Sequence, residues 1–283
     1  MDTHELPVRP LTAGEILDAA VAVLRRNPWR LLGYALLLSA VEQVALYLFT
    51  HGQLRDPHAY LTFDPYNLTF HLAAGTLLRT ISFGMGTEAV ALVLLGAAAA
   101  PTAHAMVLRG AGLPAPAPAR GRFGATLVLA LIVGAGAAAT AWLVVPWVFW
   151  FMLTCLAAPA LILDRGGRLG PLRALGRSVR LVSWANLRPG GLRLLGYLPW
   201  LALRLLIGFT ATGTVTTLTG TLSPLGTAVL AGAVWALINA VAYAAIACVD
   251  TVNYFETRMR LEGLDIVLSR AAARGGTTPA VTG

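Results

Sequence analysis

The amino-acid sequence predicts an all-α polytopic membrane bundle, with six transmembrane helices and two interfacial amphipathic helices in one integral membrane domain over 1–270. Three observations predict it. Of the 283 residues, 57% are hydrophobic and only 12% charged, whereas a soluble domain of this length needs a far more polar surface. Apolar runs at 31–49, 89–108, 125–163, 194–212 and 225–249 match or exceed the roughly 20 residues that carry a helix across a bilayer. The basic residues are all Arg, with no Lys, and they gather between those runs.

In chain order, residues 11–26 (LTAGEILDAAVAVLRR) set Ala13, Ile16, Leu17, Ala20 and Leu24 at helical spacing, with Glu15, Asp18, Arg25 and Arg26 elsewhere on the surface. This is an amphipathic helix too polar to span. Thr12, followed three residues on by Glu15, forms a capping-box pattern. Pro28 and Trp29 mark the break before a first span at 30–50. The stretch from His51 to Phe83 is polar and aromatic and reads as external, with Tyr60, Phe63, Tyr66 and Phe70 suited to the headgroup level. A second span at 86–108 closes on Arg109, and 110–122 (GAGLPAPAPARGR) reads as a stiff, extended linker.

From Phe123 to Leu163 the chain is apolar for about 40 residues, which at about 1.5 Å per residue is near 60 Å, twice the hydrocarbon thickness. It must cross twice, as spans at 124–145 and 147–163. The turn is expected at Val145–Pro146, beside Trp142, Trp147 and Trp150, because helix interiors rarely accept Pro. Charge tests this choice, since cytoplasmic loops carry the Arg excess. With two crossings, Arg55 and Arg79 alone fall outside; with one, the densest Arg cluster (165–193) would be external. Both termini are therefore expected in the cytoplasm, and the membrane is expected to be the cell inner (plasma) membrane.

After the fourth span, 170–184 (GPLRALGRSVRLVSW) sets Leu172, Leu175, Val179 and Val182 on one side of a helix and Arg173, Arg177 and Arg180 on the other, with Pro171 suited to a first helical position. This second interfacial helix feeds a fifth span at 191–211, a Thr/Gly-rich external turn at 210–223, a sixth span at 225–249 and a disordered tail at 271–283. Each interfacial helix leads into the same five residues, Arg30-Leu-Leu-Gly-Tyr34 and Arg193-Leu-Leu-Gly-Tyr197. The echo reads as a parallel repeat of interfacial helix plus helical hairpin, with chance in a Leu/Arg-rich chain as the rival reading.

The net charge of +8 raises nucleic acid as a partner, but membrane topology accounts for it, so none is expected. No basic region precedes a short apolar stretch, so no cleavable signal peptide is expected. Cys155 and Cys248 lie in apolar runs, where a free thiol behaves as a small hydrophobe. Ionisable groups inside spans are costly, about 2.5–3.5 kcal/mol each at a helix centre, which singles out Glu42, Glu88 and Arg204. All three count to the outer half at similar depth, so Arg204 has either acid within reach. They form a site that binds a charged group or relays protons, or an ion pair that fixes helix register. His51, His58 and His71 share the external segment with Asp56 and Asp64 but match no metal-ligand spacing. His104 is assigned to packing near the inner end of its span. Arg173, Arg177 and Arg180 are candidate contacts for anionic lipid headgroups, each worth about 1 kcal/mol near an anionic leaflet. Asn67-Leu-Thr69 fits a glycosylation acceptor, and Gly134 and Gly136 permit close helix packing. No phosphate loop, dinucleotide fingerprint or nucleophile elbow occurs, so no catalytic residue, cofactor or metal is assigned.

Three stretches, RPLTAGEILDAAVAVLRRNPWRLL (9–32), APALILDRGGRLGPLRALGRSVRLV (158–182) and TVNYFETRMRLEGLDI (251–266), resemble the bacterial membrane-domain family named after glycerophosphoryl diester phosphodiesterase, in its stand-alone, actinobacterial-type form. The resemblance implies a membrane module of the kind that precedes a soluble phosphodiesterase barrel. A barrel needs on the order of 250 residues, and the tail after Leu268 is short, so no hydrolase activity is carried over. Where the family pattern has Glu after the fourth span, this chain has Asp164. The function expected is a non-enzymatic accessory or scaffold module working with other membrane or envelope proteins; the alternative is a transporter or lipid-handling protein using the intramembrane polar residues.

Overall fold

The computed structural model describes residues 5–54, 70–114, 122–164, 169–218 and 224–274, and their regular structure is helical throughout. In order these are α1 (Ala13–Arg26), α2 (Pro28–Leu54), α3 (Phe70–Gly110), α4 (Phe123–Thr140), α5 (Val144–Leu153), α6 (Ala157–Leu163), α7 (Pro171–Trp184), α8 (Arg188–Leu218), α9 (Pro224–Glu262) and α10 (Leu264–Ala273). Among the described residues, six stretches are long and apolar enough to cross a membrane: Pro28–Phe49, Leu78–Gly110, Phe123–Thr140, Val144–Leu163, Arg188–Gly208 and Ala228–Glu262. The chain is an all-α, multi-pass membrane protein.

α1 begins as its sequence dictates. The Thr12 hydroxyl accepts from the Glu15 N–H, and the Glu15 carboxylate accepts from the Thr12 N–H at 2.8 Å, closing the capping box. The helix buries Ile16, Ala19, Ala20 and Val23 against α3 and α9, while Leu17, on the predicted apolar face, stays exposed. The peptide before it is tucked under α3, where the Leu6 N–H donates to Met106 O at 3.2 Å.

The predicted turn at Val145–Pro146 is corrected. The chain reverses at 141–143, and Pro146 sits in the first turn of α5, where a missing N–H costs no helical hydrogen bond. The fourth span is broken between α5 and α6, and a side chain from α7 repairs the break: the Leu156 N–H donates to Ser178 Oγ at 3.1 Å, and the Ser178 hydroxyl donates to Leu153 O at 2.7 Å. This role alters the expected face of α7. It buries Ala174, Ser178, Leu181 and Val182, leaving Leu172 exposed, because the small side chains on that stripe let it lie close against α6.

Glycines of α4 set its crossings with α3 and α5. A Cβ on Gly134 would stand 2.8 Å from Gly86 O and 2.6 Å from the Val90 side chain, and one on Gly136 would strike the Trp150 ring. Trp150 is fixed there by donating its indole N–H to Val133 O at 3.0 Å.

Four helices outrun their predicted spans. α2 runs on to Leu54, α3 starts at Phe70 rather than near 86, which shortens the expected external segment, α8 runs from Arg188 to Leu218, so that 210–218 of the expected external turn is helical, and α9 continues past 249 to Glu262. Residues 251–258 of α9 are buried although many are polar, because Thr251, Asn253 and Thr257 donate to the Ala247, Pro189 and Asn253 carbonyls, Glu256 meets Arg188, and Arg258 meets Asp164 and Glu262. Gly263, at φ +60, turns the chain into α10, so the predicted tail begins only after Ala273; its residues 275–283 lie outside the described residues. So do Asp56, His58, Tyr60, Phe63, Asp64, Tyr66, Asn67-Leu-Thr69 and the side chains of His51, Phe70 and His71, together with 115–121 of the linker and 219–223 of the external turn. The pentapeptide echo has unlike surroundings in its two copies: Arg30 and Tyr34 are exposed, whereas Arg193 and Tyr197 are buried.

Candidate functional site: a charge-paired interior

α2, α3, α8 and α9 bring Glu42, Glu88 and Arg204 into one buried cluster. Arg204 Nη2 donates to Glu88 Oε2 at 3.1 Å and to the Tyr197 hydroxyl at 3.3 Å. Both charged side chains are more than nine-tenths buried, at 7% and 8% exposure. The guanidinium also lies 5.6 Å from the Tyr197 ring centre and 5.5 Å from that of Tyr243, a spacing at which the ring faces attract a cation. Glu42 takes neutral donors instead. The Tyr243 hydroxyl donates to it at 2.8 Å, and the Thr87 hydroxyl lies 3.2 Å from its other oxygen. Of the two acids within reach of Arg204 by depth, Glu88 is the one that pairs.

A second ion pair lies nearer the arginine-rich end, and the hydropathy pattern does not single it out. Arg193 approaches Asp250 at 3.4 Å with side chains 4% and 6% exposed. Its Nη1 donates to Phe151 O at 2.9 Å, and its guanidinium stacks 4.0 Å from the Phe151 ring centre. Both residues stand at the edge of an apolar run, where a charge reads as the end of a span. The usable signal was on α9, where Asn239, Tyr243, Asp250, Asn253 and Thr257 recur at three-, four- and seven-residue steps, one polar stripe down an otherwise apolar helix.

At the arginine-rich end, ionic contacts lock the bundle. Asp164 accepts from Arg177 at 3.1 Å and from the Tyr254 hydroxyl, and it faces Arg258 at 3.2 Å. Glu262 takes Arg177 and Arg258, and Glu256 takes Arg188 and Arg260. The last two arginines also donate to Leu11 O, at 3.1 and 3.0 Å, which ties α8 and α9 to the start of α1. Arg177, expected to face lipid, is therefore turned inward onto two carboxylates. Arg173 and Arg180 remain exposed, with Arg180 5.7 Å from the Trp184 ring centre.

His104 stacks on Phe255 with ring centres 6.0 Å apart, and both cysteines are free and buried. Among the described residues no group of three or more His, Cys, Asp or Glu converges as a metal site. On the outer surface, a recess of about 260 Å³ opens between α2 and α9, lined by Ala40, Val44, Ala228, Gly232 and Ala236 with the Gln43 amide and Tyr47 hydroxyl as its polar groups.

Fold and site together define a class: a six-span helical membrane protein with two buried arginine–carboxylate pairs in its interior, Arg204–Glu88 and Arg193–Asp250. Comparison with protein-family models, with curated proteins and with solved structures finds no match.

Proposed function

We propose that the chain is a non-enzymatic accessory or scaffold module of a bacterial plasma membrane, with both termini cytoplasmic. In this reading it is a stand-alone member of the glycerophosphoryl diester phosphodiesterase membrane-domain family. One observation carries the proposal. Arg204, the cation deepest in a span, meets Glu88 in a closed helix contact, and the cavity beside that contact has a volume of about 10 Å³, room for one water and for no solute. A transport site needs a hydrated cavity lined by broken helices. A matched, buried pair instead fixes helix register and exposes no reactive group.

The partner-facing surface in this reading is the recess between α2 and α9. Ala228, Gly232 and Ala236 repeat at four-residue intervals along α9, the spacing at which small residues let a second transmembrane helix approach closely, while Gln43 offers a hydrogen bond across the contact. The partner is therefore an apolar membrane helix. Anionic headgroups at the cytoplasmic face hold Arg173 and Arg180.

Two measurements test the proposal. A Leu92→Cys variant, in a background with Cys155 and Cys248 replaced by Ala, stays unlabelled by a water-soluble thiol reagent applied from either side; labelling would favour the transport alternative. A photocrosslinker at Val229 in native membranes gives one discrete adduct that Gly232→Leu abolishes, and a crosslinker at Leu206 gives none. Smeared or identical products at both positions would remove the scaffold reading.

A further inference from the structure

The two buried ion pairs share no direct hydrogen bond, yet one small cavity separates them. It lies between α3, α4, α5 and α8, with Glu88 and Arg193 both on its wall. Glu88 leaves a buried oxygen, Oε1, without a hydrogen-bond partner, while Arg193 turns its Nε toward Asp250 Oδ2 at 3.4 Å. Arg193 spends one of its N–H donors on Phe151 O, out of the five that a guanidinium carries. Other polar groups on the wall are already committed, the Trp150 indole N–H to Val133 O and the Thr154 hydroxyl to Trp150 O. A carboxylate with one oxygen free of hydrogen bonds and a guanidinium with N–H donors beyond those given to Phe151 and Asp250 thus line the same space, one an acceptor and the other a donor.

We propose that this cavity is a water site, in which a single ordered water donates to Glu88 Oε1 and accepts from the Arg193 guanidinium. The volume of about 10 Å³ matches one water molecule, and a buried water survives where polar partners await it. No anion fits, because the carboxylate would repel it; no metal ion fits, because the guanidinium would. The water joins Glu42, Tyr243, Arg204, Tyr197 and Glu88 to Arg193 and Asp250, making one continuous polar column that touches α2, α3, α5, α8 and α9. A buried acceptor left without a hydrogen bond is costly, and one water satisfies Glu88 Oε1 from a position that an Arg193 N–H can also reach.

The decisive experiment is an experimental structure of the full chain in lipid nanodiscs at a resolution that shows ordered solvent. Density for one atom within hydrogen-bond reach of both Glu88 and Arg193 is expected; an empty cavity, or a direct Glu88–Arg193 contact closing it, overturns the proposal. Radiolytic hydroxyl labelling supplies a second readout on the unaltered protein. Phe151 lines the cavity and Phe255 does not, although both are buried. Oxidation of Phe151 several-fold faster than Phe255 is expected, since radicals form at bound water, and equal slow rates at both rings would mean a dry cavity.

Discussion

Arg204 and Glu88 give the sharpest test at the scale of single residues. Removing one member of a buried pair strands the other charge, which costs about 3–5 kcal/mol, whereas replacing both with apolar groups of similar volume is close to neutral. Arg204→Met alone is therefore expected to destabilise the bundle strongly, and Arg204→Met with Glu88→Leu to recover most of the loss, in reversible unfolding in mixed micelles. If the double variant is as unstable as the single one, the pair is not the origin of the effect. Glu15 carries a pH prediction outside the membrane. The Arg9 side chain, then the Thr12 backbone and side chain, hold its carboxyl down at about 2, against an ordinary value of 4.5. A lowered value in the folded state means that the cap contributes its full stability above pH 4.5 and loses it as the pH falls toward about 2. Amide exchange in the first turn of α1, corrected for intrinsic rates, should speed up across that window. Glu15→Gln should remove the dependence, and added salt should shrink it because the pair is exposed.

Helix against helix, the bundle depends on where side chains are missing. Gly134 leaves room for the backbone of Gly86, and Gly136 for the ring of Trp150; a β-branched or long side chain at either site must push α4 away. Gly134→Val and Gly136→Leu are expected to lower the unfolding midpoint by the equivalent of about 1–3 kcal/mol, the range for overpacked interiors. Gly33 in α2 faces open space, with nothing within 4 Å of where a Cβ would stand, so Gly33→Ala should gain about 0.5–1 kcal/mol from helix propensity alone. Equal effects at the three sites would contradict the assigned crossing. The α4 glycines were legible in sequence as a packing signal, but not which helix each would meet. The break in the fourth span was not legible, because Ser178 repairs it from α7, and hydropathy carries no information about a hydroxyl arriving from 22 residues away.

For the molecule as a whole, six crossings put residues near Glu5, Arg177 and Arg274 at one end, and single-cysteine or reporter fusions at these positions should report the same side of the membrane. Arg177 on the opposite side would dismantle the arrangement and the polar cluster with it. The number of crossings, the clustering of arginine at one end and the capping of α1 were all readable from the residue order. Each of these follows from a sum over neighbouring residues: apolar length against bilayer thickness, charge per loop, or a side chain reaching its own backbone. Packing in three dimensions was needed to establish that Arg204 takes Glu88 and leaves Glu42 to Tyr243, that Arg193 and Asp250 belong to the interior, and that Arg177 binds Asp164 and Glu262 instead of facing lipid. Depth along a span is a one-dimensional quantity that hydropathy measures, whereas pairing depends on how each helix is rotated about its axis. That rotation is set by contacts between helices far apart in the chain.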